Sequence, residues 1–119
     1  MGDISKNFNR SEFECQCGEC GLDTVDVELL ELLQNLRDKF GRLKITSGHR
    51  CADHNNAIGG NKNSYHLHGR ASDIVPLDAD IIEIANYIES INHKGGMGVY
   101  LDDNFIHLDT RSYKARWRG

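Results

Sequence analysis

No apolar run in this sequence approaches the roughly 20 residues a helix needs to span a bilayer, so no membrane-crossing segment is expected. The stretch from Met1 to Arg10 has no apolar core and is not read as a secretory signal. The expectation is a protein made and kept in the cytoplasm unless something else exports or releases it. Excess basic charge is also missing. The net charge is −4 with both signs interleaved, which excludes the basic stripe of a nucleic-acid binder. The one basic cluster, Arg111, Lys114, Arg116 and Arg118, reads as a solvated tail. Repeats, linkers and low-complexity tracts are absent. With 39% hydrophobic and 27% charged residues the chain is globular rather than disordered. Its 119 residues suit a single domain, 1–119, in which 1–24 form a cysteine-containing N-terminal loop region.

The clearest element is a helix over Val25 to Phe40. Val25, Leu29, Leu32, Leu33, Leu36 and Phe40 recur at helical spacing, Asp23, Thr24 or Asp26 can cap its start, and Gly41 can end it. Arg42 to Thr46 alternates as a strand and runs into the loop Ser47-Gly-His-Arg50. Asp53 to Gly60 suggests a short helix, and Ala71 to Val75 a second strand that ends at Pro76, the only proline. Asp78 or Asp80 can cap a helix to about Ser90, with Ile81, Ile84, Ala85 and Ile88 inward. Lys94 to Gly98 reads as a flexible turn. Met97 to Leu101 and Asn104 to Asp109 read as a hairpin around Asp102-Asp103. Phe8 and Phe13 are expected to anchor the N-terminal segment, and Trp117 to fold back as a lid or core plug. The fold class is α+β: a small antiparallel sheet with helices packed on one side.

Three of the four cysteines fall in Cys15-Gln-Cys17-Gly-Glu-Cys20, and Cys51 stands apart. A structural metal on four thiolates, a disulfide from Cys51 to one of the other three, and free thiols all remain open.

The stretch Ser64-Tyr-His-Leu-His-Gly-Arg-Ala-Ser-Asp73 carries the densest chemistry. His66 and Asp73 can converge if the chain turns sharply at Gly69, where unusual backbone angles are allowed. His107, in Phe105-Ile-His-Leu-Asp109, offers a second imidazole, and Asp109, two residues on, projects to the same strand face. Two imidazoles and a carboxylate suffice to hold a catalytic zinc with the fourth position left to water. Asp109 is then a candidate to orient an imidazole from behind. Spacing alone leaves the choice open, because His68 lies two residues from His66 and HEXXH-type signals are far more specific.

The run Ser64-x-His66-x-x-Gly69-x-Ala71-x-Asp73, with His107-x-Asp109, resembles peptidase family M15. This is the D-alanyl-D-alanine carboxypeptidase and phage endolysin group, which shares its fold with the hedgehog signalling domain. The similarity is closest to the compact, short-chain branch. It extends through Ser47-Gly-His-Arg50, His54-Asn55, Gly59-Gly60 and Gly96-x-Gly98-x-Tyr100, over most of residues 43–117. The resemblance implies a hedgehog/DD-peptidase-like fold and zinc on His66, Asp73 and His107. It implies that Arg50 pairs with a substrate carboxylate or polarised carbonyl, and that Ser64 and Tyr100 lie near substrate. Ser64 can equally cap the turn before His66. Many members carry an acid three residues before the last histidine ligand, where this chain has Asn104, which cannot take a proton. Asp102 and Asp103 just before it, Asp109 just after, and His49 are the candidate bases.

The activity implied is zinc-dependent hydrolysis of a peptide bond in the peptidoglycan stem, as a D-Ala-D-Ala carboxypeptidase or an L-alanyl-D-glutamate endopeptidase. The alternative is a zinc-containing binding module of the same fold that does not cleave. A third reading is a structural zinc or redox protein centred on the cysteines. The expected partner is the stem peptide, with no nucleic acid and no membrane, and the expected state is a monomer. Action on the cell wall would follow release or service as a phage component.

Overall fold

The computed structural model describes residues 2–119. The elements run α1 (Val27–Phe40), β1 (Leu43–Ser47), α2 (Ala52–Ala57), β2 (Ala71–Pro76), α3 (Ile81–Ser90), β3 (Gly96–Tyr100), β4 (Phe105–Asp109) and β5 (Ala115–Arg118), with short 3-10 turns at Arg10–Phe13 and Tyr65–His68. No helix among them is long and apolar enough to cross a membrane.

Asp26 caps α1, its carboxylate accepting from the Leu29 amide, and Gly41 closes the helix at φ 88°. Leu29, Leu33 and Leu36 are fully buried along one stripe, each contributing roughly 1.5–3 kcal/mol of apolar transfer. Asp80 caps α3 through the Ile82 amide, 2.9 Å away. Asp78 instead grips Arg42, accepting from its backbone N at 2.7 Å and its Nη2 at 2.7 Å.

The five strands form one sheet in the order β1-β2-β4-β3-β5. The first four pair antiparallel, but β5 runs parallel to β3. The sheet is therefore mixed rather than wholly antiparallel. The chain leaves β4, loops through 110–114, and hydrogen-bonds along the free edge of β3. The basic segment is thus not a solvated tail throughout. Arg111 pairs with Asp109, and Arg116 pairs with Glu89 at 2.7 Å while donating to the Gly95 and His93 carbonyls.

Period-two alternation gives the sheet two chemically distinct faces. Leu43, Ile45, Ile74, Ile106, Leu108, Met97 and Val99 join the buried residues of α1 and α3 in one core. Phe8 and Phe13 enter the same core edge to face, with ring centroids 6.0 Å apart. The opposite face carries Asp73, His107, Gly98 and Trp117. Register places these directly beside one another: Ser47 pairs with Asp73, Asp73 with His107, His107 with Gly98, and Gly98 with Trp117. One row across all five strands thus forms a floor. A bulge between Ile45 and Ser47 brings Ser47 into that row and releases the chain into Gly48-His49-Arg50.

Candidate metal centre and cleft

Above the floor lies a cleft of about 540 Å³ bordered by Arg50, Ser64, Tyr65, His66, Tyr100 and Trp117, among others. His66 reaches it from the 3-10 turn Tyr65–His68. Ser64 caps that turn, its Oγ accepting from the His66 amide at 3.2 Å, and Gly69 ends it at φ 67°. That left-handed backbone, three residues after His66, is what lets the chain reverse into β2 at Ala71. A Cβ at Gly69 would also lie 2.6 Å from the Thr24 carbonyl oxygen.

Three ligand atoms converge. One atom each from His66, Asp73 and His107 lie within 4.8 Å of one another. His66 Nε2 is 3.4 Å and His107 Nδ1 3.1 Å from Asp73 Oδ1. The tautomers follow from the partners of the other nitrogens. His66 Nδ1 donates to the Gly48 carbonyl at 2.7 Å, so neutral His66 presents the Nε2 lone pair to the centre. His107 Nε2 donates to Asp109 Oδ2 at 2.8 Å, leaving Nδ1 to face Asp73. His66 Nε2 is buried and has no hydrogen-bond partner. A buried nitrogen lone pair aimed at a carboxylate is costly unless a cation lies between them. The residues present therefore fit a divalent metal. Burial works to raise the Asp73 carboxyl, but the two imidazoles overcome it and hold it well below the usual carboxylate range.

Asp109 is fully buried behind His107. Its Oδ1 accepts from the Gly96 amide at 2.9 Å and from the Arg111 amide and Nε, and its Oδ2 from Arg111 Nη2 at 2.7 Å and His107 Nε2. With five donors on two oxygens, it has no lone pair left to take a proton from water. Burial would raise its carboxyl; His107 and Arg111 keep it well below the ordinary range. Gly96 makes room for it, since a Cβ there would lie 2.4 Å from Asp109 Oδ2.

Arg50 faces the cleft with its guanidinium held from several sides. Nε donates to Ser47 Oγ at 3.1 Å, Nη1 to Asn55 Oδ1 at 3.0 Å, and Nη2 lies 3.5 Å from Asp73 Oδ2. Burial lowers its pKa from the usual arginine range, with Asp73 opposing the shift. Tyr100 borders the cleft with its ring stacked on Phe105 at 4.3 Å, and its hydroxyl accepts from Trp117 Nε1 at 2.8 Å.

Other candidates lie elsewhere. Asp102 and Asp103 are exposed in the turn between β3 and β4 and do not border the cleft. Asn104 follows them at φ 54°, a left-handed position that asparagine tolerates better than most residues, so its identity answers to the turn. His68 is exposed on the far side of the 3-10 turn. His49 is buried; its Nδ1 accepts from the Thr24 amide at 3.1 Å and its Nε2 faces the Leu67 carbonyl at 3.2 Å, which occupies both nitrogens. His93 donates to the Asp109 carbonyl at 3.0 Å rather than standing in solvent.

Sequence reasoning missed Arg111, read as part of a solvated tail, whereas Trp117, expected to fold back, does so at the cleft. Arg111 lies with its guanidinium carbon 4.7 Å from the Tyr65 ring centroid and 5.1 Å from that of Trp117 while it clamps Asp109. Its spacing from Asp109, two residues beyond a strand end, was the available signal. Trp117 is 5.2 Å from the His107 ring. It fits only because position 98 is glycine: a Cβ there would meet Trp117 Nε1 at 2.3 Å.

Comparison with known proteins agrees with this geometry. The chain is 31% identical over 104 residues to the probable peptidoglycan L,D-endopeptidase MepK of Haemophilus influenzae, covering 80% of this chain and 55% of that protein. It is 32% identical over 97 residues to the peptidoglycan L,D-endopeptidase MepK of Escherichia coli K12, covering 75% of this chain and 53% of the other. The chain thus spans about half the length of the curated relatives it matches. No solved structure gives a significant match. The family model described as Peptidase M15 matches residues 6–109, a span that contains the floor from Ser47 to His107, the His66 turn and Asp109. On that match and those relatives, this chain belongs to the peptidase M15 family.

Proposed function

We propose that the chain is a zinc-dependent peptidase that hydrolyses an internal peptide bond of the peptidoglycan stem. The observation that carries this reading is the convergence of His66 Nε2, Asp73 Oδ1 and His107 Nδ1 beside the guanidinium of Arg50. The preference for an internal bond over release of a terminal D-alanine rests on the relatives, which are named as L,D-endopeptidases. Two imidazoles and one carboxylate are a donor set suited to zinc with an open position. Zinc held there would supply a water whose pKa falls toward about 7 and a Lewis acid for the scissile carbonyl.

The chain's own residues do the rest. Asp109 fixes His107 in the tautomer that turns Nδ1 to the centre. Ser47 and Asn55 hold the Arg50 fork open toward the cleft, where it can bind a carbonyl oxygen as charge develops on it. Tyr65, Tyr100 and Trp117 border the cleft with flat rings suited to lying against a peptide backbone.

The test is zinc content together with chromatography and mass spectrometry of purified muropeptides after incubation with wild type and His107→Ala. Wild type should hold zinc and release fragments cut within the stem, and His107→Ala should do neither. A folded wild-type protein that retains no zinc and cuts nothing ends the reading. Release of D-alanine alone would replace the endopeptidase with a carboxypeptidase.

One observation favours a second reading, a zinc-containing module that binds stem peptides without cleaving them. Among the described residues, Asp73 is the only carboxylate bordering the cleft, so no free base stands over the centre. A zinc-replete protein that binds muropeptides yet leaves them intact through long incubation would establish that reading instead.

A further inference from the structure

We infer that Cys15, Cys17, Cys20 and Cys51 form a second, structural zinc site that clasps the N-terminal loop onto the start of α2. This inference concerns a separate cluster and stands whether or not the cleft proves catalytic.

The first argument is convergence. All four sulfurs lie within 4.8 Å of one another, and Cys15 and Cys51 Sγ are 3.8 Å apart although the residues are 36 positions apart in the chain. A tetrahedral site with Zn–S bonds of about 2.3 Å has sulfur–sulfur edges of about 3.8 Å. A disulfide needs only two sulfurs in mutual reach and would leave the others no reason to gather. The four thiols are free here.

The second argument is what surrounds the sulfurs. Each accepts at least one backbone amide: Cys15 from Cys51 at 3.3 Å, Cys17 from Glu19 and Cys20 at 3.4 Å, Cys20 from Leu22 at 3.5 Å, and Cys51 from His54 at 3.4 Å. Backbone amides directed at sulfur are the outer hydrogen bonds that metal-bound thiolates accept. A closed four-thiolate site with no open position is the arrangement of structural rather than catalytic zinc.

The third argument is need. Residues 16–22 contain no helix or strand, and most are exposed. Their inward ties are a hydrogen bond from Gln16 Nε2 to the Thr46 carbonyl at 2.5 Å and the closure of Cys15 N on Leu22 O at 2.7 Å. Yet the loop holds a defined shape against Cys51, whose Sγ caps α2. With so little apolar burial available, a metal crosslink supplies the missing free energy.

The test separates the two sites. The His66→Ala/His107→Ala protein, purified in reducing buffer without chelator, should retain one zinc per chain by elemental analysis. Titrating its thiols with a mercurial should release that zinc after four thiols react. Loaded with Co²⁺ instead, it should show thiolate-to-cobalt charge-transfer absorption and the visible bands of a tetrahedral ion. In the wild-type chain, zinc should slow alkylation of all four cysteines by about tenfold or more relative to chelator-treated protein. A Cys17→Ser/Cys20→Ser protein should lose one zinc while His66 and His107 keep theirs. The inference is overturned if the folded His66→Ala/His107→Ala protein binds no zinc or cobalt. It is equally overturned if wild-type thiols alkylate at the same rate with and without zinc, or if intact mass shows a disulfide in the protein as isolated from reducing buffer. A wild-type protein that carries only the cysteine zinc would instead count against the peptidase reading alone.

Discussion

Replacing Asp109 with Asn tests the site at its most heavily bonded point. The substitution preserves shape and removes the charge. The amide oxygen can still accept from Gly96 N and Arg111, but its nitrogen then points donor hydrogens at His107 Nε2 or Arg111 Nη2, which are donors themselves. The Arg111 side chain is 16% exposed and Asp109 fully buried, so the guanidinium loses its partner in a largely dry setting. Breaking such a pair from one side costs about 3–5 kcal/mol. The stacking of Arg111 on Tyr65 and Trp117 survives, which favours the lower end. With a urea m-value of about 1.5 kcal/mol/M, a loss of about 3 kcal/mol moves the unfolding midpoint by about 2 M. Freed from its acceptor, His107 no longer has a fixed tautomer, and zinc affinity should fall about 10–100-fold. Urea denaturation followed by circular dichroism reads the first effect, and competition with a chelating dye reads the second. A folded Asp109→Asn protein with wild-type zinc affinity would refute the assignment of Asp109 as the group that orients His107.

Three further outcomes follow from the geometry. Gly98→Ala places a methyl on Trp117 Nε1, so the ring must leave the cleft floor; stability should fall by about 1–3 kcal/mol and the emission of the sole tryptophan should shift to the red, and unchanged emission would contradict the packing. Arg50→Lys keeps the charge but loses the fork that bonds Ser47 and Asn55; turnover of muropeptides should fall by about 10²–10³-fold, and a change within threefold would remove Arg50 from the chemistry. Asp78 is held at about 2 by hydrogen bonds from Arg42, below its unfolded value of about 3.9. Its contribution is fully present above pH about 4 and is lost as pH falls through about 2, so Asp78→Asn should flatten the acid limb of stability there, and an unchanged limb would show the Arg42 contact to be idle.

The sequence reveals the elements more readily than their neighbours. The α1 and α3 stripes, the caps at Asp26 and Asp80 and the alternation of β1, β2 and β4 are local signals, and the structure follows them closely. Alternation also shows that His107 and Asp109 share a face. It does not reveal that Asp73 sits opposite His107, because register is decided by the whole sheet and by the bulge after Ile45. β5 is hidden for a related reason. Ala-Arg-Trp-Arg has few apolar residues, and its arginines read as solvent-facing until the loop through 110–114 lays it beside β3. Asp102 and Asp103 attract attention by proximity in sequence, yet the turn that carries them points outward. The choice of His66 over His68 depends on the 3-10 turn, a feature that spacing cannot specify.

The floor row explains how so small a chain can fix the geometry of the three side chains that would hold a metal. Asp73 and His107 stand on central strands, each paired on both sides, so neither ligand can move without breaking ladder hydrogen bonds. A slip of β4 by one residue would turn His107 and Asp109 into the apolar core and send Ile106 and Leu108 to the cleft. The free energy of burying that core therefore guards the ligand geometry directly. His66 alone comes from outside the sheet, and it is held at three points: its amide by the Ser64 hydroxyl, its carbonyl by the Arg50 amide at 2.9 Å, and its ring by the Gly48 carbonyl. Two of those three holds come from the segment that follows the β1 bulge. The same irregularity that brings Ser47 into the row therefore also sets the angle of the third ligand, and substitutions that regularise β1 should disturb His66 before they disturb Asp73 or His107.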